Sequence, residues 1–357
     1  MHNKVKDFLY GIKNNRCSVE SCLQDTIYSM HKPVPQVAKP LRILYAALQF
    51  EGNKPQLGFS YEQNNFFHSL YNMGHEIIGF DFGQIRKKYG LKMMNKMLME
   101  AVFRYDPDIL FFVIVNDKVS KDVLKYISNN TRTITINFNS DDHWRFDNFT
   151  QYWAENFNWN ITTTKDAVAK YHKIGYENVI YSQWACNHFL YRPLNLPQIY
   201  DVTFIGQPHG VRRDFIEKIR RAGIKVDVWG TGWGHGRVSL MEMIQIYNQS
   251  KINLNISAAS TSAVTQIKGR DFEVPGTGQF MLTGYSEELT HYYEDGKEVA
   301  MYRDMDDAID KIRYYLKQND ERQNIAQQGF SKAIAQHTYE QRFNTIFNRY
   351  IFTSLNV

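Results

Sequence analysis

Cysteine is scarce in this chain. Its 357 residues include three, Cys17, Cys22 and Cys186. They form no Cys-x-x-Cys pair and no even-numbered framework, so neither a disulfide scaffold nor a zinc site is expected. Long apolar runs are missing too. The longest clean one, ILFFVIV from Ile109 to Val115, falls far short of the ~20 residues a membrane-spanning helix needs. The opening, MHNKVKDFLYGIKNN, lacks the apolar stretch of a signal peptide. A cytoplasmic protein is expected, at most peripheral at a membrane surface. Strong charge of either sign is also absent: 42 Lys+Arg against 37 Asp+Glu leave a net of +5. That balance is too weak to argue for nucleic acid, but it suits an anionic ligand. Neither G-x-G-x-x-G nor a Walker lysine occurs, which sets aside the common NAD and ATP chemistries, and no cofactor is expected.

What is present is a core-forming apolar share of 43% and a length that fits two domains. Residues 1–40 read as a helical appendage closed by the linker KPVPQVAKP, whose prolines bar regular helix. From Leu41, strands alternate with helices. LRILYAAL, HEIIGFDF, DILFFVIV, TRTITINF, WNITTT and NVIYSQ read as strands, and Ser60 with Gln63 reads as a capping box. The segment LYRPLNLPQ, with Pro193 and Pro197, breaks the rhythm as a linker would. The alternation then restarts with DVTFIG, IKVDVWG, KINLNIS, QFMLTGY and KEVAMYR as strands. VRRDFIEKIRRAG and the capped stretches after Ser239 and Thr338 read as helices. The predicted fold is α/β, with two Rossmann-like, doubly wound parallel sheets facing across a cleft. Their domains span residues 41–190 and 200–335.

Ligands of such sheets bind beyond the carboxyl ends of the strands. In the first half this singles out QFEGNKPQLG and NSDDHWRF. In the second half it singles out GQPHGVRR, GTGWGHG and SAASTSAVTQIKGR. The second-half loops are rich in small residues, among them Gly206 and Thr231, and carry Arg212, Arg213, Lys268 and Arg270. Small residues let backbone N–H groups approach an anion, and guanidinium groups match phosphate in a fork. The combination suits a diphosphate neutralised by protein cations, so no metal is expected. In the first half, Asp142 and His143 are the candidate catalytic pair, with His143 as an acceptor-side base. The plainer alternatives are a turn capped by Asp141 and Asp142, and a surface salt bridge for Glu273.

The stretch Arg270–Leu316, RDFEVPGTGQFMLTGYSEELTHYYEDGKEVAMYRDMDDAIDKIRYYL, resembles CgeB-like spore-maturation glycosyltransferases. More broadly it is similar to glycosyltransferase family 4, of GT-B fold. DVTFIG with arginines six and seven residues beyond its glycine, VWGTGW, KINLNIS, NSDDHWRF and ACNHFLYRP agree, and the likeness covers about residues 41–345. It implies transfer of a hexose-like sugar from a UDP- or GDP-linked donor with retention. It also implies a final helix, residues 336–357, that packs back on the first domain. By the same resemblance Glu273 contacts the donor ribose, with Gly278 at the matching glycine. Arg212 and Arg213 fall near the diphosphate, and Arg270 matches the arginine of an R-x-F-E run. Two departures stand out. Thr265 replaces the family's first glutamate, and Gln207 replaces a usual basic residue. An epimerase or hydrolase of the same architecture, or a non-catalytic nucleotide-sugar-binding protein, therefore stays open. So does the acceptor: glycan, lipid, protein or modified nucleobase.

Overall fold

The computed structural model describes residues 40–114, 119–257 and 266–352. The appendage read in residues 1–39 lies outside them, as do Cys17, Cys22 and Thr265. The chain divides into two compact units, 1–183 with 342–357, and 184–341.

The first unit carries six parallel strands, β1 Arg42–Ala46, β2 Glu76–Phe80, β3 Ile109–Phe112, β4 Ile134–Asn139, β5 Trp159–Thr162 and β6 Val179–Tyr181, in the order β2-β1-β3-β4-β5-β6. β1 pairs on both sides, Ile43 with Ile77 and with Ile109. The winding therefore reverses between β1 and β3. All four residues of β3 are buried, because a parallel strand covered on both faces has no solvent side. Phe112 stacks on Phe82 (5.2 Å) on one face, while Phe111 meets Tyr45, Phe138 and Phe343 on the other. Each such ring contributes about 1.5–3 kcal/mol by burial. The C-terminal segment belongs to this layer. Phe343 meets Phe66 edge-on at 6.0 Å, Phe347 lies beside His75, and Tyr350 packs on Trp159.

Local signals explain the element ends. The helix Leu91–Tyr105 stops at Asp106, which adopts φ 43°, and Pro107 cannot extend it. Ser120 caps Lys121–Asn130 through the Val123 N–H. The Ser60–Gln63 box is only half formed. The Gln63 N–H donates to Ser60 Oγ, but the Ser60 N–H is taken by the Gln49 carbonyl. The chain then runs through a π-helical turn, Gln63–Phe67.

The second unit carries β7 Tyr200–Ile205, β8 Asp227–Trp229, β9 Ser250–Asn255, β10 Met281–Gly284 and β11 Ala300–Tyr302, all parallel, in the order β11-β10-β9-β7-β8. The winding reverses between β7 and β9. Ser239 and Glu242 form a complete capping box on Leu240–Asn248. Thr338 and Gln341 form another at the start of Tyr339–Ile346. Phe204, Phe215, Ile252, Leu254, Leu282 and Ile312 head a core of buried side chains. Both units are doubly wound parallel α/β sheets.

Candidate functional site

In a doubly wound sheet the crevice opens at the carboxyl ends of the two strands where the winding reverses. In the second unit these are β7 and β9. Arg212 opens the helix Arg212–Arg221 that follows β7 and is 8% exposed. Its Nε donates to the Ile256 carbonyl beyond β9 (3.1 Å) and its Nη1 to the Gln207 carbonyl beyond β7 (3.1 Å). The side chain thus spans the crevice. Arg270 opens the helix Arg270–Gly276, and its Nε donates to Asn255 Oδ1 at the end of β9 (3.0 Å). Both guanidinium carbons lie 5.7 Å from the Phe204 ring centre. Gly206 sits between them and the strand. A Cβ there would stand 2.9 Å from Phe204 Cζ and 3.3 Å from Arg270 Nη1, so a side chain would push the guanidinium aside.

Among the described residues no carboxylate lies within ion-pair distance of either guanidinium. Burial, reinforced by the positive charge of Arg270, pulls Arg212 down to about 10. Two partly desolvated cations with no counter-ion make a site that an anion stabilises.

A buried network holds Arg270. Asn255 Nδ2 donates to Asp271 Oδ1 (2.7 Å) and to Thr283 Oγ1 (3.2 Å) while its Oδ1 accepts from Arg270. Asp271, 0% exposed, also accepts from the Thr283 hydroxyl (2.8 Å) and the Lys268 N–H (2.8 Å). Burial raises its carboxyl above the usual range, and these donors and Arg270 oppose the rise.

The remaining basic and loop residues divide differently from the sequence reading. Arg213 is exposed; its Nη2 donates to the Gly232 carbonyl (3.2 Å) and its guanidinium lies 5.1 Å from the Trp233 ring. It holds the loop that carries the exposed Thr231. Trp233 donates in turn to the Gly206 carbonyl, so the indole is a packing and anchoring group. Lys268 Nζ donates to Gln266 Oε1 (2.8 Å). Gly278 adopts φ 72° in the turn that closes the helix Arg270–Gly276, its N–H on the Pro275 carbonyl. Its requirement is conformational.

Glu273 is 3% exposed and lies on the same short helix as Arg270, so it does not form a surface salt bridge. Pro275 and Gly276 form the last turn of that helix. Its charge helps burial raise both the Cys186 thiol and the Tyr247 hydroxyl.

The first unit has a cavity of about 70 Å³ at the carboxyl ends of β3 and β4, lined by Glu62, Asn139, Ser140, Asp141, Asp142 and Arg145 among others. Asp142 is 1% exposed. Its Oδ2 accepts from the Tyr171 hydroxyl (3.0 Å), which itself accepts from Asn139 Nδ2 (3.1 Å). Asn139 and Asn137 both donate to Asn160. The polar alternation of β4 is therefore not a solvated face but a buried hydrogen-bonded ladder, as buried amides require. Burial raises the Asp142 carboxyl, and side-chain hydrogen bonds from Thr162, Thr150 and Tyr171 oppose the rise. His143, half-buried, is not among the lining residues.

Glu62 is the residue that sequence reading missed. Burial, helped by Glu51 and Asp141, raises it from 4.5 to about 7. A carboxyl whose pKa is higher folded than unfolded binds more protons when folded, so stability is lost as pH rises between those two values. Glu62→Gln removes that loss. In urea unfolding it should gain roughly 1–3 kcal/mol over wild type on going from about pH 4 to pH 8. Parallel stability–pH curves would show Glu62 to be solvated.

Two Asp-x-Asp strings, at 106–108 and 304–306, are structural. Asp106 and Asp108 pair with Arg132. Asp304 caps Met305–Lys317, and Asp306 pairs with Lys218. Among the described residues no cluster of three His, Cys, Asp or Glu could hold a metal ion, and no helix is long and apolar enough to cross a membrane.

Residues 212–348 match the family model described as glycosyl transferase-like. The chain is 21% identical over 208 residues to the spore protein CgeB of Bacillus subtilis; the match covers 51% of this chain and 64% of CgeB. Among solved structures it is similar to sucrose-phosphate synthase from Thermosynechococcus elongatus (TM-score 0.61, 11% identity, 89% of this chain and 100% of that one). A glycosyltransferase from Rickettsia africae (0.59, 11%, 89% and 99%) and Anabaena HepE in complex with UDP and glucose (0.58, 10%, 86% and 99%) share the same fold. The fold is that of the GT-B glycosyltransferases, and part of the chain is similar in sequence to CgeB.

Proposed function

We propose that the chain transfers a sugar from a UDP- or GDP-linked donor, with retention, the donor held by the second unit and the acceptor by the first. The observation that carries this reading is the pair Arg212 and Arg270, two unpaired guanidinium groups over Phe204 at the reversal of the winding. A leaving nucleoside diphosphate gains negative charge as the glycosidic bond breaks, and preplaced cations stabilise that change. Gly206 leaves room for the phosphates to approach the backbone. Glu273, on the same helix as Arg270, is assigned to the ribose hydroxyls, as the family resemblance implies. HepE, of like fold, has been solved with UDP and with UDP-glucose, which supports a uridine donor.

Thermal melting with UDP, GDP, ADP and their glucose conjugates tests the reading. A ligand that binds only the folded state raises the melting temperature in proportion to its saturation. A rise with UDP or GDP, followed by turnover of the matching sugar conjugate, is expected; no rise with any of them would overturn the proposal. Because protein cations neutralise the diphosphate, turnover is expected to persist in EDTA. Loss in EDTA that Mg²⁺ or Mn²⁺ restores would show that a metal does this work.

A further inference from the structure

The positive charge of the chain is concentrated in one place. Residues 86–104 hold six basic residues, Arg86, Lys87, Lys88, Lys92, Lys96 and Arg104, against one acidic, Glu100, so this segment alone accounts for the net of +5. It comprises the end of the helix Phe82–Tyr89, the corner at Gly90 and the helix Leu91–Tyr105. Lys87, Lys88, Lys92 and Lys96 are exposed, and among the described residues none of the four has an ion-pair partner. The second helix buries Met94, Leu98, Ala101 and Val102 in the core. Its opposite side carries Lys92, Lys96, Met99 and Phe103, which are spaced by three and four residues and so fall in one line. Phe103 is 60% exposed and meets Tyr126, 46% exposed on the helix Lys121–Asn130, edge-on at 6.5 Å. Leu91, at the corner, is 47% exposed. A lone exposed apolar side chain is ordinary. Two rings in contact, both facing water and in line with unpaired lysines, mark an interaction surface.

We infer that this face docks the chain on a bilayer rich in anionic lipid, with the helix Leu91–Tyr105 lying in the plane of the interface. Charge complementarity names the occupant, because a basic cluster of this size is drawn to anionic headgroups. The lysine stems can lie along the acyl boundary while their ammonium groups reach the phosphates. Leu91, Phe103 and Tyr126 supply the apolar groups that enter below the headgroups. A nucleic acid would use the lysines alone, since phosphate contacts ask nothing of Leu91 or Phe103. A second copy of the same face is opposed by like charge. The inference stands independently of the glycosyl-transfer reading.

Flotation of the full chain with vesicles tests this, using phosphatidylcholine alone and an equal mixture of phosphatidylcholine and phosphatidylglycerol. The chain should float with the mixture, not with phosphatidylcholine, and should be released as salt rises. Lys92→Gln with Lys96→Gln should weaken partition roughly tenfold. Phe103→Ser should do so by a similar factor. Melting temperatures should stay unchanged in both, because these side chains face water. Removing two charges elsewhere, by Lys225→Gln with Lys297→Gln on the exposed surface of the second unit, should leave partition as in wild type. Equal partition on both vesicles, partition on neither, or wild-type partition in both patch variants would overturn the proposal. So would an equal loss from the second-unit variant, which would make net charge rather than this face the cause. Tighter binding to duplex DNA than to vesicles, undiminished by Phe103→Ser, would also overturn it and leave a polyanion surface in its place.

Discussion

Arg212→Ala and Arg270→Ala are each expected to weaken UDP binding by roughly 10- to 100-fold. A charge-assisted hydrogen bond contributes about 1.5–3 kcal/mol, and each 1.4 kcal/mol is tenfold. The double variant should lose less than the product of the two, because both groups act on one ligand and relieve each other's repulsion when one is removed. Arg270→Lys should fall between wild type and alanine, since lysine keeps the charge and loses the fork. The two positions differ in their structural burden. Arg212 also holds the Ile256 and Gln207 carbonyls, so a modest drop in melting temperature is expected there. Arg270 holds only Asn255 among the bonds described. Arg213→Ala is the contrast, because Arg213 grips the Gly232 carbonyl from outside and should cost UDP less than threefold, below about 0.6 kcal/mol. Equal losses at 212 and 213, read by calorimetry, would move the diphosphate to the rim.

Asp271→Ala should cost the second unit about 3 kcal/mol of stability and weaken donor binding through Arg270. It removes a fully buried acceptor of three hydrogen bonds and strands Asn255, Thr283 and the Lys268 N–H. Each donor left unsatisfied in a low-dielectric interior costs about 1–3 kcal/mol, and relaxation returns part of the sum. Freed from Asp271, the Asn255 carboxamide can turn, and Arg270 loses its brace. Asp271→Asn should be milder for stability but similar for UDP, because one of its two donors must then face another donor. Denaturant unfolding alongside UDP titration separates the effects. An unchanged midpoint would show the network to be solvated. A lower midpoint with wild-type UDP affinity would show that Asn255 does not position Arg270.

The sheets were legible because glycine, proline and capping residues punctuate short apolar runs, and a parallel strand needs only apolar length. Two successive series of this kind determine two doubly wound units without knowledge of their strand order. The donor-side residues were partly legible. Arg212 and Arg270 follow strand ends whatever the tertiary detail. Sequence could not tell Arg212 from Arg213, though one turns into the crevice and the other out; adjacent helical positions differ by about 100° in direction. Asp142 and Glu62 were the least legible. Asp142 is recognisable as buried only once Tyr171 and the Asn137–Asn139–Asn160 ladder come together from two strands and a helix. Glu62 reads as one more polar residue on a capped helix, and its raised pKa arises from burial, helped by Glu51 and Asp141, all of which exist only after folding.

The central claim is that Arg212 and Arg270 form the seat of a nucleoside diphosphate. A crystal structure of the chain with UDP tests it most directly. The account predicts the β-phosphate within hydrogen-bonding distance of both guanidinium groups, above Gly206. A diphosphate that touches neither arginine, or one seated on Arg213 and Lys268 instead, would contradict it.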